Sequence, residues 1–335
     1  MSTEKLSAIF TIFRPIAQKN CGESLLLLPC GKRIALDSGV WYTKNTLKEQ
    51  VGCAMLKRAY VEITNRCNLS CRFCPGTKRL TRTMTTEQFC RILQRLQGRV
   101  SYLYLHVMGE PLLHPELAEL LRIGGDKGFR LCLTTNGTLL PCRGEILLDS
   151  PAVHKVSISL HSMEGNGKTE LADYLTGCWQ FAEKAAERGI LTALRLWNLG
   201  GEDKLNDKIL SFLAQRLGAD PLAIPCNRSG SRTLRQNLFL EQAERFDWPD
   251  LSAPERETAF CLGLRQQVAV LVDGTLVPCC LDHEGNIPLG HLPEESLEEI
   301  LEGPRAKAFY DGFSCGRPSE ELCRRCGYAT RWGKR

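Results

Sequence analysis

Three of the 17 cysteines in this 335-residue chain crowd into eight residues, Cys67 to Cys74, with Cys-x3-Cys-x2-Cys spacing. They follow at once on an apolar run, Ala59 to Thr64, that reads as a strand, so they occupy a short loop at its end. In a chain kept reduced, such a surplus of thiols points to metal or redox chemistry before disulfides. A four-iron cluster normally takes four cysteines. A set of three therefore leaves one iron open to another ligand, as a catalytic metal keeps an open position. A structural zinc site or a group of buried thiols is the competing account. The last six cysteines lie between Cys261 and Cys326, and Cys21, Cys30, Cys53, Cys90, Cys132, Cys142, Cys178 and Cys226 are scattered and read as small buried hydrophobes.

Beyond the loop, short apolar runs alternate with longer amphipathic stretches, which is the pattern of strand-helix units around a parallel sheet. Strands are expected at Ala59–Thr64, Tyr102–Val107, Phe129–Thr134, Lys155–Leu160, Leu191–Trp197 and Leu222–Ile224. Helices fit Thr86–Gln97, Pro115–Lys127, Glu145–Asp149, Thr169–Arg188 and Asp203–Arg216, with Thr85 or Thr86 as first cap and Pro115 at a first helical position. Periodicity does not choose between an open doubly wound sheet and a curved partial barrel, but both gather functional groups at the carboxyl ends of strands.

Residues 227–260 are polar and Arg-rich and read as a linker with one helix near Leu240–Phe246. A hairpin follows, Val268–Leu271 and Leu276–Val277 around Asp273-Gly274, then a helix at Ser296–Phe309. Residues 1–58 form an N-terminal extension with another hairpin, Ser24–Leu28 and Arg33–Leu36. Hydrophobic residues are 43% and charged residues 24%, a balance that excludes a largely disordered chain. The net charge of +5 is not gathered into a basic run, so no nucleic-acid partner is expected. No apolar run approaches the roughly 20 residues of a membrane span, and Leu6–Phe13 lacks the features of a signal peptide, so a cytoplasmic protein is expected.

The loop, with Phe73 before its last cysteine, resembles the defining motif of the radical S-adenosylmethionine (SAM) superfamily. That resemblance implies a partial (β/α)6 barrel over residues 59–226. It also implies a 4Fe-4S cluster on Cys67, Cys71 and Cys74, whose open iron chelates SAM and reduces it to methionine and a 5′-deoxyadenosyl radical. Met108-Gly109-Glu110-Pro111 resembles the family's Gly-Gly-Glu turn, in which backbone and acidic side chain bind the SAM amino group, with Met108 departing from the pattern. By the same resemblance Asn136, in Thr134-Thr135-Asn136-Gly137-Thr138, lines the SAM pocket. Ser159 meets the SAM ribose or carboxylate, with a serine satisfied inside the barrel as its rival. Arg195 pairs with the SAM carboxylate, against the alternative of a structural salt bridge. His106 and His161, also at strand ends, are left as structural.

Cys261, twelve residues, Gly274, four residues and Cys279, with the later Cys323-x2-Cys326, resemble the SPASM or shorter twitch extension of that superfamily. These four would hold an auxiliary 4Fe-4S cluster in a small cysteine-rich module, residues 261–330, and a tetrahedral zinc site is the rival. Cys280 and Cys315 are left over. The whole resemblance implies an oxidoreductase or modifying enzyme acting on a peptide or small molecule and reduced by a flavodoxin or ferredoxin. A molybdenum-cofactor-type cyclase is the alternative enzyme, although the chain ends Gly333-Lys334-Arg335 where that group has Gly-Gly. A non-catalytic iron-sulfur or zinc electron carrier or binding protein is the alternative outside enzymes.

Overall fold

The computed structural model describes residues 56–165, 170–201, 204–228 and 230–332, and the hairpin expected before residue 40 lies outside them. Strands β1 (Leu56–Val61), β2 (Val100–Tyr104), β3 (Arg130–Thr135), β4 (Val153–Ser159) and β5 (Leu191–Leu199) alternate with helices. These are α1 (Thr86–Leu96), α2 (Leu117–Asp126), the short α3 (Leu140–Arg143) and α4 (Glu145–Leu148), and α5 (Leu171–Glu187), with α6 (Asn206–Leu217) after β5. Thr85 caps α1 in a reciprocal capping box with Gln88, which is why the chain turns into a helix there. Pro115 lies just before the N-cap Glu116 of α2 instead of inside the helix.

Along the middle of each strand, apolar residues two apart share one face. Ala59 and Val61, Leu103, Leu131 and Leu133, Val156 and Ile158, and Leu194 and Leu196 are buried in one core with the apolar faces of α1, α2 and α5. The intervening residues, among them Tyr60, Tyr104, Cys132, Lys155, Ser157 and Arg195, line the other face of the sheet. One face thus makes the core and the other is free for chemistry.

The expected sixth strand at Leu222–Ile224 does not form. That apolar run is short, lies between Pro221 and Pro225, and is taken up by a turn in which Asp220 accepts from the Leu222 and Ala223 N–H groups. Its place is filled from the stretch read as a linker, where β6 (Ser231–Arg235) and β7 (Leu238–Glu244) make a hairpin and β7 pairs parallel with β5. The Leu-Glu-Gln-Ala-Glu sequence favours helix locally, but Leu238 and Leu240 go into the core while Phe239 and Glu241 take the opposite face, so tertiary pairing overrides propensity.

The expected Asp273-Gly274 hairpin is present as β8 (Gln267–Val270) and β9 (Thr275–Val277), followed by β10 (Gly290–His291). The tail helix is broken at Gly303-Pro304 into α7 (Leu297–Glu302) and α8 (Pro304–Ser314), and α9 (Glu321–Arg324) follows. Strand β8 pairs parallel with β1, so the sheet runs β10-β9-β8-β1-β2-β3-β4-β5-β7-β6. The cysteine-rich tail is therefore built onto the first strand of the parallel sheet.

Candidate functional site

The three-cysteine loop leaves the carboxyl end of β1 and is held from several elements. Asn136, just beyond β3, donates from Nδ2 to Asn68 Oδ1 at 2.9 Å, and the same Nδ2 lies 4.0 Å from Cys67 Sγ. Asn68 in turn donates to Thr138 at 2.8 Å. The Cys71 thiol reaches the Ser162 carbonyl at 3.5 Å. The Phe73 ring packs on His161 with centroids 4.7 Å apart, and the Phe73 carbonyl accepts from Trp248 Nε1 at 3.1 Å. Burial, and then the Arg195 charge nearby, hold the His161 ring down at about 4, so it stays neutral at ordinary pH. Cys67 and Cys74 reach solvent, yet the protein around their sulfurs raises both thiols, and the charges of Glu110 and Cys74 add to the effect at Cys67. Thiols shifted this way become thiolates when a cationic metal centre is present to stabilise them.

The next turn explains its own sequence. Gly109 has φ +77°, and a Cβ there would stand 2.5 Å from the Thr64 carbonyl and 2.7 Å from that of Arg66, so only glycine fits against the segment leading into Cys67. The Glu110 N–H then donates to the Arg66 carbonyl at 2.7 Å. The Glu110 carboxylate is buried and engaged on both oxygens, by Leu112 N–H at 3.0 Å, Thr135 hydroxyl at 2.8 Å and Asn136 N–H at 2.7 Å. It ties the end of β2 to the end of β3.

Burial pushes the Glu110 carboxyl from 4.5 up to about 7, against the pull of those three donors. Stability from the protonated form is fully present below about pH 4.5 and is lost as pH rises through about 7. Wild-type protein is expected to lose up to about 3 kcal/mol across that window, and Glu110→Gln to show no such loss whatever its absolute stability. Urea midpoints of both proteins at a series of pH values check this. Parallel pH profiles would show that Glu110 does not titrate in the fold.

One residue that sequence reasoning passed over holds this end of the sheet together. Glu62 has no exposed surface, and its carboxylate accepts from Arg79 through two contacts of 2.8 and 2.7 Å, from Met108 N–H at 3.1 Å and from Val272 N–H at 3.0 Å. It therefore joins the exit of the cysteine loop, the Met108-Gly109 turn and the β8–β9 hairpin. The available signal was an acidic residue inside an apolar strand. Trp248 gave no signal, because it lies in the stretch taken for a linker.

In the tail, Cys261, Cys279, Cys323 and Cys326 come together. Burial raises Cys279 well above the ordinary thiol range, and the charges of Cys261, Cys280, Cys323 and Cys326 raise it further. Cys323 is raised by burial and then by Cys261 and Cys326. Burial also raises Cys261 and Cys326, and these four thiols are a donor set that only a bound metal centre would keep ionised. Among the described residues no three such groups close on a single metal-sized point, whereas a cubane spreads its cysteines over separate irons. Cys280 packs instead against Ala269, Leu271, Val277 and Tyr60, and Cys315 caps α8.

Residues 61–213 match the radical SAM superfamily, and residues 261–327 match the SPASM iron-sulfur cluster-binding domain. The chain belongs to the radical SAM superfamily. It is 26% identical over 326 residues to the GTP 3′,8-cyclase of Synechococcus sp. (strain WH7803), covering 78% of this chain and 93% of that one. It is 27% identical over 305 residues to the PqqA peptide cyclase of Ruegeria pomeroyi, covering 79% and 78%. Streptococcus suis SuiB bound to precursor peptide SuiA superposes with a TM-score of 0.50 at 16% identity, covering 88% and 78%, a likeness of fold alone.

As a radical SAM enzyme with a SPASM region, the protein uses SAM, a 4Fe-4S cluster and auxiliary iron-sulfur chemistry in its tail. Of the residues the sequence singled out, Cys67, Phe73, Cys74, Gly109, Glu110 and Asn136 lie around one end of β1–β3. Ser159 and Arg195 are paired in register on β4 and β5. Arg195 is engaged by Glu241 at 3.0 Å and Thr134 at 3.2 Å, and its guanidinium stacks 4.2 Å from the Trp197 ring centroid. No helix among the described residues is long and apolar enough to cross a membrane.

Proposed function

We propose that the chain reductively cleaves SAM at a cluster on Cys67, Cys71 and Cys74 and uses the 5′-deoxyadenosyl radical to abstract hydrogen from a peptide or small molecule. The observation that carries this reading is the convergence of three features at the carboxyl ends of adjacent parallel strands. These are the three-thiol loop after β1, the glycine turn after β2 pressed against Thr64 and Arg66, and Asn136 after β3 bonded to Asn68. Backbone groups of the Gly109-Glu110 turn would take the SAM amino group, since the Glu110 carboxylate is already satisfied. Asn136 would order the loop, and Phe73 would be fixed by His161 and Trp248. Ser159 would face the ribose or carboxylate of SAM. Arg195 would meet the SAM carboxylate with Glu241 as its resident partner. Two relatives support the substrate class by their names, one acting on a peptide and one on a nucleotide. A flavodoxin or ferredoxin would supply the electron.

Anaerobic reconstitution with SAM and dithionite, followed by measurement of 5′-deoxyadenosine, tests the activity. Mass analysis of candidate peptides and small molecules tests the substrate class. No 5′-deoxyadenosine from protein with its clusters intact would remove this reading.

The tail carries its own expectation. Cys261, Cys279, Cys323 and Cys326 would ligate an auxiliary 4Fe-4S cluster completely, so iron should approach about eight per chain. Alanine at Cys279 and Cys323 together should lower it by about half while SAM still perturbs the remaining cluster's spectrum. Zinc in the tail, with no iron lost on these substitutions, would show a structural zinc site instead.

A further inference from the structure

The other face of the sheet carries a charge imbalance in which the proposed SAM chemistry touches Arg195 but not Lys155. Lys155 of β4 and Arg195 of β5 share a single carboxylate, Glu241 of β7, at 2.7 and 3.0 Å. Burial would raise the Glu241 carboxyl, but Arg195 and Lys155 outweigh it and hold the group below its usual range, so it is fully ionised. The three side chains are 26%, 13% and 16% exposed, which keeps the excess positive charge out of bulk water. Across the same face Arg58 lies over the Tyr104 ring at 5.8 Å and has no carboxylate partner among the described residues.

Lys155 and Glu241 also line a cavity of about 500 Å³, with Trp197, Asn227, Ser231 and Phe239. That volume falls in the range of small-ligand sites, and the mixture of one aromatic wall with a few polar groups is what such sites use for orientation. A positive charge shared two-to-one on a carboxylate, next to an open cavity, is the arrangement a second anion would complete. Charge-assisted pairing in a partly dehydrated site is stronger than the same pair in water.

We propose that this cavity receives an anionic group of the substrate, a carboxylate or a phosphate, with Lys155 as its counter-ion and Trp197 as the wall beside it. The inference rests on the function proposed above and narrows its substrate class. A purely cationic or uncharged substrate is excluded by it.

The test uses the reconstituted full chain and two probes, a short Glu-rich peptide and inorganic tripolyphosphate, each titrated by calorimetry at two salt concentrations. Binding of at least one probe, weakened by salt, is expected, and which of them binds distinguishes a carboxylate from a phosphate ligand. Lys155→Met should weaken that binding by roughly tenfold or more, and Lys155→Arg should restore most of it. SAM binding is measured on the same variants. If neither probe binds, if a Lys-rich control peptide binds better, or if Lys155→Met weakens SAM and not the probe, the proposal is wrong. The last outcome would assign the excess charge to the SAM carboxylate. Probe binding that follows this pattern in protein unable to make 5′-deoxyadenosine would instead overturn the radical reading and leave the anion site standing.

Discussion

Alanine at Cys67, Cys71 or Cys74 is expected to abolish formation of 5′-deoxyadenosine from SAM under anaerobic reducing conditions. Each thiolate on such a loop would hold a different iron, so none compensates for another. The fold should survive, because Cys67 and Cys74 are exposed and Cys71 is only partly covered, which leaves no core cavity behind. The contacts that fix the loop come mainly from its other members, Asn68 through Asn136 and Thr138, and Phe73 through His161 and Trp248. Loss of activity with unchanged circular dichroism is therefore the expected pair of results. With all three replaced, iron should fall to about half, the remainder belonging to the tail. Wild-type amounts of 5′-deoxyadenosine from any single variant would end the assignment of the loop.

Much of this site could be read before any coordinates, and the reasons are local. The run Ala59 to Thr64 leads into the cysteine loop because a β-branched, apolar stretch favours a strand, which the structure has at Leu56–Val61, and thiols spaced by three and two residues have few structural uses. Thr85 and Gln88 announced the start of α1 by their spacing alone. The Asp273-Gly274 turn fixed the β8–β9 hairpin in the same way.

What could not be read depended on partners distant in sequence. Strand β7 is made of residues that favour helix, and only its pairing with β5 makes it a strand. The role of Glu110 as a tie between β2 and β3 depends on Asn136 and Thr135, 26 and 25 residues away, and no motif states that both its oxygens are occupied. Trp248 meets Phe73 across 175 residues. The attachment of the tail to β1 through β8 could not be read, because the polar hairpin turn gave no indication of which sheet edge it would join.

Glu62 is where these distant parts meet, and its substitution is expected to have the largest effect on stability. Glu62→Ala would leave the Arg79 guanidinium, only 14% exposed, without its counter-ion, and would strip the acceptor from the Met108 and Val272 N–H groups. Breaking one side of a buried ion pair typically costs about 3–5 kcal/mol, most of it from the charge left behind. Removing both partners as Glu62→Met with Arg79→Met should therefore be less damaging than Glu62→Ala alone, because no unpaired charge remains, although the two N–H groups still lack an acceptor. Urea midpoints of wild type, Glu62→Met, Arg79→Met and the double variant give the coupling directly, with Glu62→Ala measured beside them. The functional consequence follows from what Glu62 touches. Met108 precedes the turn proposed to meet SAM, Arg79 closes the exit of the cysteine loop, and Val272 belongs to the hairpin that presents Cys279. Glu62→Ala should therefore weaken SAM binding and lower iron retention in both cysteine sets, whereas a local loss of helix or strand stability elsewhere would reach neither. A wild-type urea midpoint together with normal iron in both sets would show that the carboxylate is a dispensable ion pair and not the tie between them.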